Sequence, residues 1–355
     1  MKLTKKFSRI VVAFTAIALA GCSLIDQQAK ESNANAGKGN GKTVTILTHD
    51  SFALDKADIA AFEKESGYKL KTISAGDGTV INHLRLKKDA PVVDGFYGID
   101  NFTSAELLAE NLAADLGKPV KFDAAVDAKS AVLDNKLVAI DHGDVCLNVD
   151  RKWFDSKHLA PPANFDDLLK PEYKKMTVLT DPVASTPGLA FLAATVAKYG
   201  DDGWKEYWQK LLANGAKVAS GWSAAYYQDF SGADGKGEYP IVLSYASSPA
   251  ASKGTTASVE NTCVQQIEYA GIVNKAKNPA GARAFIDFLL SNKVQASLPN
   301  QMYVYPIKKG VELPAEWAKY AQRAANPIKV PAEKVTQNRE NWLREFTRIY
   351  QKYAK

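Results

Sequence analysis

Short β-branched runs alternating with helical stretches constrain this chain more than any single residue does. Val44 to Thr48 reads as a buried strand, Lys56 to Ser66 as a helix closed by Gly67, Lys69 to Ser74 as a second strand and Thr79 to Lys88 as a second helix. A β-α-β-α opening predicts an α/β fold with a largely parallel sheet and helices on both faces. The alternation continues with strands at Asp94 to Ile99 and Leu137 to Ile140 flanking a helix at Ser104 to Asn111, and with Met176 to Thr180 feeding a helix near Pro187. Trp204, Tyr207, Trp208, Leu211 and Leu212 fall on one helical stripe that stops by Gly215, so both tryptophans read as core. Tyr239 to Tyr245 and Cys263 to Val273 are strand-like, a helix follows Asn278, and Trp342, Phe346, Ile349, Tyr350 and Tyr353 mark one face of a final helix.

The first residues concern location rather than fold. Lys2, Lys5, Lys6 and Arg9 precede an apolar run from Ile10 to Ala20, too short to span a bilayer as a stable helix, and then Leu19, Ala20 and Gly21 lead into Cys22. Small residues before a cysteine are what a lipoprotein signal peptidase requires, so residues 1–21 read as a lipoprotein signal and Cys22 as the lipidated residue. Removing four basic residues from the formal +6 leaves +2. With no basic block in the body, nucleic-acid binding has no electrostatic footprint. Residues 22–41 are small and polar without apolar periodicity, and read as a flexible tether. The remainder, from about 42 to 355, is long for one compact unit and suggests two lobes. Export places Cys146 and Cys263 in an oxidising compartment, where we expect them to pair; two buried thiols are the alternative, and zinc ligation lacks the close Cys/His spacing.

Catalysis finds little support. His49, His83, His142 and His158 are scattered, and no nucleophile-elbow, zincin or Walker motif occurs. Loops after strands are more informative, because ligands sit at that end of an α/β sheet. Gly76, Asp77 and Gly78 lie between a strand and a helix, where amides can converge on an oxyanion and Asp77 can meet a cation, although a turn with an Asp cap reads equally well. Ser185, Thr186, Pro187 and Gly188 make a helix start able to hold a phosphate or hydroxyl, or a plain capped helix. Trp222 follows the strand Ala216 to Ser220 and stands at a strand end, Tyr226 comes four residues later, and Tyr245 to Pro249 ends another strand. Aromatic walls, a carboxylate and an anion-competent helix end describe a flat, cationic, phosphorylatable ligand.

From about Thr43 to the C-terminus the sequence resembles the periplasmic thiamine-binding proteins of bacterial ABC importers. The resemblance rests on Thr48 to Phe52, Asp77 and Gly78, Gly98 to Asn101, Asp181 and Pro182 with Ser185 to Leu189, Gly221 to Ser223 with Ala225 and Tyr226, Leu243 to Tyr245 with Ser248 to Ala250, Tyr303 to Pro306, and Asn338 and Arg339 with Trp342. It implies a two-lobed type II periplasmic-binding fold with the ligand cleft between lobes: residues 42–141 with 246–305 in one, residues 142–245 with 306–355 in the other. Chain crossings near Asp141 to Gly143 and Tyr245 to Ser247 would let the lobes hinge shut. By similarity Asp77, Gly78, Ser185, Thr186, Trp222 and Tyr245, Ala246, Ser247 and Ser248 line the thiamine site, with Tyr226 beside them. His49 stands where the family commonly has tyrosine, Lys56 where a tryptophan can occur, and Ala251 where a further tyrosine contributes.

The implied protein is a monomer anchored by lipid on the extracytoplasmic face of the bacterial membrane. It binds thiamine or a thiamine phosphate as transported ligand, with no cofactor or metal, and its partners are an ABC permease and ATPase. Two rivals are open at this point: a ferric-ion-binding protein of the same fold using Tyr226, Tyr227 and Tyr245, and an exported thiamine-degrading enzyme, which would need a free nucleophilic cysteine.

Overall fold

The computed structural model describes residues 42–75, 80–321 and 323–354. The expectations for the leader, Cys22, the tether, Asp77 and Gly78 lie outside the described residues. Eight strands form the main path of the sheet: β1 (Thr43–Thr48), β2 (Lys69–Ser74), β3 (Gly95–Asp100), β4 (Leu137–Asp150), β5 (Thr177–Thr180), β6 (Lys217–Ala219), β7 (Ile241–Tyr245) and β8 (Val264–Val273). Their spatial order is β2-β1-β3-β8-β4-β7-β5-β6.

The largely parallel sheet expected from the opening needs correcting. Pairing is parallel at both flanks, β2 with β1, β1 with β3, β7 with β5 and β5 with β6. The centre is antiparallel, because β8 pairs antiparallel with β3 and β4, and β4 with β7. The βαβ periodicity is a local signal at each flank, whereas the long strands that join the flanks meet neighbours far away in sequence.

The helices follow their sequence cues. In α1 (Lys56–Ser66) the Asp55 side chain caps the amide of Asp58, and Gly67 closes the helix at φ 74°. α2 (Val80–Leu86) and α3 (Ser104–Ala109) cover the first flank. The long α4 (Thr186–Ala213) is two helical runs meeting at Gly200, where φ is 75°. α5 (Pro279–Leu289), α6 (Asn292–Met302) and the terminal α7 (Ala332–Tyr353) complete the layers.

Buried apolar side chains gather in two main cores. One takes Val44, Ile46, Phe62, Phe96, Leu137 to Ile140, Ile267, Tyr269, Phe285 and Leu298; the other takes Val145, Leu147, Phe165, Phe191, Trp204, Trp208, Leu243, Val264, Trp342 and Phe346. The central strands pass between them. β4 delivers Leu137 to Ile140 to the first and Val145, Leu147 and Val149 to the second, with Asp141, His142, Gly143 and Asp144 between. β8 does the same with Val264 and Ile267. Val259, from the stretch 246–305, sits in the second core, and Ile307, from the stretch 306–355, in the first.

Cys146 and Cys263 are joined as expected, with S–S 2.00 Å. In the antiparallel pairing of β4 with β8, Val145 stands opposite Val264, which brings Cys146 and Cys263 face to face one step further on.

Candidate functional site

A cavity of about 200 Å³ opens where the loops after the central strands meet. The region of β1, β3 and β8 supplies His49, Tyr97 and Glu268; the loop after β6 supplies Trp222 and Ser223, and the helical turn Ala224–Asp229 that follows it Tyr227; Tyr245 comes from the end of β7, Thr186 and Pro187 from the start of α4, and Gln301 to Val304 from the end of α6.

The polar side is built on strand geometry. His49 follows β1, and its ring lies against the backbone of β3 at Gly98, where φ is 99° and a Cβ would come within 2.4 Å of His49 Cδ2. Only glycine allows both that conformation and that approach. Ser51 N–H donates to His49 Nδ1 at 3.1 Å, and His49 Nε2 stands 3.5 Å from Glu268 Oε1. The pairing of β8 with β4 shifts register between Glu268 and Tyr269, the kind of irregularity that re-aims a side chain beside a site. Below them the buried Tyr97 hydroxyl lies 2.5 Å from Asp141 Oδ2 and 2.9 Å from Glu268 Oε2.

Electrostatics separate these carboxyls. Burial, then the repulsion of Glu268, push Asp141 well above the ordinary carboxylate range. Burial opposes ionisation of Glu268 too, but hydrogen bonds from His49, Tyr97 and Asp141 hold it below its usual value. Asp100, at the end of β3, is pushed up to about 6 by burial and by Glu268, against the hydrogen bond from Thr103. A buried acidic group of this kind, one member facing a cavity, marks a place where positive charge is welcome.

The aromatic side is a stack. Trp222 lies nearly parallel to Tyr226, centroids 4.9 Å apart at 16°, and meets Tyr227 edge-on at 5.4 Å and Tyr245 at 6.5 Å. Its Nε1 donates to Ser244 Oγ at 2.8 Å, and that hydroxyl lies 2.7 Å from Ser248 Oγ. One face of the half-buried indole is thus backed by Tyr226 while the residue lines the cavity.

The start of α4 differs from an ordinary capped helix. Ser185 occupies the N-cap position with φ −134° and ψ 130°, yet makes no capping hydrogen bond, and its buried Oγ has no partner among the described residues. Gly188 permits close packing of this helix start, since a Cβ there would lie 2.5 Å from the carbonyl oxygen of Thr180.

The structure therefore brings His49, Thr186, Trp222 and Tyr245 onto one cavity. Ser185 lies buried next to Thr186. Tyr226 backs the indole instead of facing that cavity. Ala246 packs beside the Cys146–Cys263 bridge, Ser247 Oγ donates to the carbonyl of Tyr303 at 2.5 Å, and Ser248 supports Ser244; all three are buried behind the wall. Sequence reasoning left Tyr97, Glu268, Gln301 and Met302 out of the ligand site, gave Tyr227 only to the ferric-ion alternative, and read Tyr303 only as part of a motif. Tyr303 has a positive φ of 57° at the end of α6, a helix-end signal that points its neighbours at the cavity without naming them.

The chain is similar to known proteins along most of its length. Residues 90–325 match the family described as bacterial extracellular solute-binding protein. The thiamine-binding periplasmic protein of Escherichia coli (strain K12) is 31% identical over 317 residues, spanning 86% of this chain and 92% of that protein. The solved structure of a periplasmic thiamin binding protein aligns with a TM-score of 0.74 at 29% identity, covering 86% of this chain and 96% of the other. A ferric binding protein from Campylobacter jejuni aligns with a TM-score of 0.67 over 86% of this chain and 99% of its own, but at 18% identity it shares the fold alone.

Proposed function

Because the chain belongs to the bacterial extracellular solute-binding proteins, we propose that it captures thiamine or a thiamine phosphate outside the cytoplasm and delivers it to an ABC permease and its ATPase. Its fold is the type II periplasmic-binding fold. It is a binding protein rather than an enzyme, as its relatives are. The thiamine-degrading alternative needs a free nucleophilic thiol, and the two cysteines among the described residues are joined.

The observation that carries the ligand assignment is the pairing, across one cavity, of the Trp222 ring with the Glu268 carboxylate. A cationic heterocycle placed there meets a π face and an anion together, each worth more where water is excluded. The helix start at Thr186, with the unpartnered Ser185 hydroxyl behind it, suits the hydroxyethyl or phosphate end of the ligand. The sequence resemblance adds Asp77 and Gly78, which lie outside the described residues, to the ligand-binding set. Iron fits less well: Tyr226 is stacked beneath Trp222, and the described residues hold no group of three or more His, Cys, Asp or Glu suited to a metal ion.

Anchoring through lipidated Cys22, a monomeric state and closure of two lobes by hinge motion belong to the same proposal. β4 and β8 are its hinge strands, each feeding both cores, and the disulfide fastens them together next to Val145 and Val264 of one core. Calorimetric titration with thiamine, its mono- and diphosphate and ferric ion tests the reading. Saturable 1:1 binding of a thiamine form supports it; silence for all three, or binding of ferric ion alone, rejects it.

A further inference from the structure

The proton count beneath His49 has a consequence for ligand choice. The Tyr97 hydroxyl has one proton to donate, yet it lies within hydrogen-bond distance of both Asp141 and Glu268. Two ionised carboxylates flanking one buried hydroxyl repel strongly, so the set is stable when one of them keeps a proton. Asp141 is fully buried and away from the cavity lining; Glu268 lines the cavity. The proton therefore sits on Asp141 and the negative charge on Glu268.

His49 orients that charge without cancelling it. Its Nδ1 accepts the Ser51 N–H, which leaves the ring proton on Nε2, the atom facing Glu268 Oε1. No lysine or arginine is among the described residues lining the cavity. The charge of Glu268 is thus presented to whatever enters.

We propose that Glu268 is the specificity-determining anion of this cleft, the counter-charge for a permanently cationic heterocycle, with neutral His49 as its positioning residue and Trp222 and Tyr245 as the ring surface. This deepens the thiamine reading and rests on it.

The test compares thiamine with its neutral thiophene isostere, which keeps the shape and loses the thiazolium charge, by calorimetry on wild type and Glu268→Gln. Wild type is expected to prefer thiamine by about tenfold or more, the scale of one charge-assisted contact in a dry site, and Glu268→Gln to lose most of that preference. A wild type that binds both equally, or a folded Glu268→Gln that keeps the preference, overturns the inference and leaves the thiamine reading standing. Failure of wild type to bind either probe, or the mono- or diphosphate, removes both. If Glu268→Gln does not fold, Glu268→Asp decides: a reduced preference supports the role, and an unchanged one overturns it.

Discussion

Trp222 is fixed by Ser244: the indole Nε1 donates to the serine hydroxyl at 2.8 Å, and this anchors the ring at the cavity with Tyr226 stacked 4.9 Å behind it. The hydrogen bond crosses from the loop after β6 to β7, so the ring is held by two separate elements. Ser244→Ala leaves the indole N–H unsatisfied in a protected site, and is expected to weaken thiamine binding about five- to tenfold, from about 1 kcal/mol of lost pre-organisation. Trp222→Ala is expected to lose more than about tenfold in affinity while lowering stability less than Trp208→Ala, whose ring is fully buried in the second core. Calorimetry and thermal melting on the three variants check the order.

The helix start at Thr186 depends on Gly188. A methyl group there would meet the carbonyl oxygen of Thr180 at 2.5 Å and the backbone of Asp181 at 2.7 Å. These are main-chain atoms that cannot turn aside, so Gly188→Ala is expected to push the first turn of α4 off β5. A loss of about 1–3 kcal/mol in denaturant unfolding is expected, with affinity for a thiamine phosphate falling at least as much as that for thiamine.

Much of the fold was legible because its signals are local. The stretches Lys56 to Ser66 and Lys69 to Ser74 fold as their periodicity and the cap at Gly67 dictate. β4 shows where such reasoning stops: Leu137 to Ile140 reads as a strand, but Asp141, His142, Gly143 and Asp144 interrupt the apolar run, and the strand nevertheless continues to Asp150. Those residues are tolerated because β8 pairs along one edge of β4 there and Tyr305 and Pro306 pair with His142 and Asp141 along the other, satisfying the backbone through partners more than a hundred residues away. The site divides in the same way. Trp222 and Thr186 sit at element ends that sequence can locate, whereas Glu268 lies inside a strand, where nothing in the alternation says which buried polar residue faces a cavity.

The disulfide closes a sequence separation of 117 residues between the two long central strands. Replacing Cys146 and Cys263 together by serine is expected to cost about 3–5 kcal/mol, mainly through the freedom regained by the unfolded chain. Urea unfolding of the variant, compared with wild type with and without reducing agent, measures it. Reduced wild type should match the double variant.

Asp100 gives a pH dependence with a definite sign. Burial first, and Glu268 with it, raise its carboxyl from the ordinary 3.8 to about 6 in the folded protein. The folded state therefore keeps the proton over a range where the unfolded state has lost it. The stabilisation is complete below pH 3.8 and disappears as pH rises through about 6. Asp100→Asn cannot ionise, so its stability relative to wild type is expected to rise between pH 4 and 7, by up to about 3 kcal/mol. Melting temperatures of both proteins across that range provide the check, and parallel curves would contradict the assignment.

The position of the ligand relative to Trp222 and Glu268 is the quantity on which the functional account turns, and a crystal structure of the protein grown with thiamine measures it. The account requires the thiazolium or pyrimidine ring to lie against the indole, with the Glu268 carboxylate beside the positive charge and the hydroxyethyl end directed toward Thr186. Thiamine bound elsewhere, or bound in this cavity with its cation turned away from Glu268 and its rings away from Trp222, would contradict it.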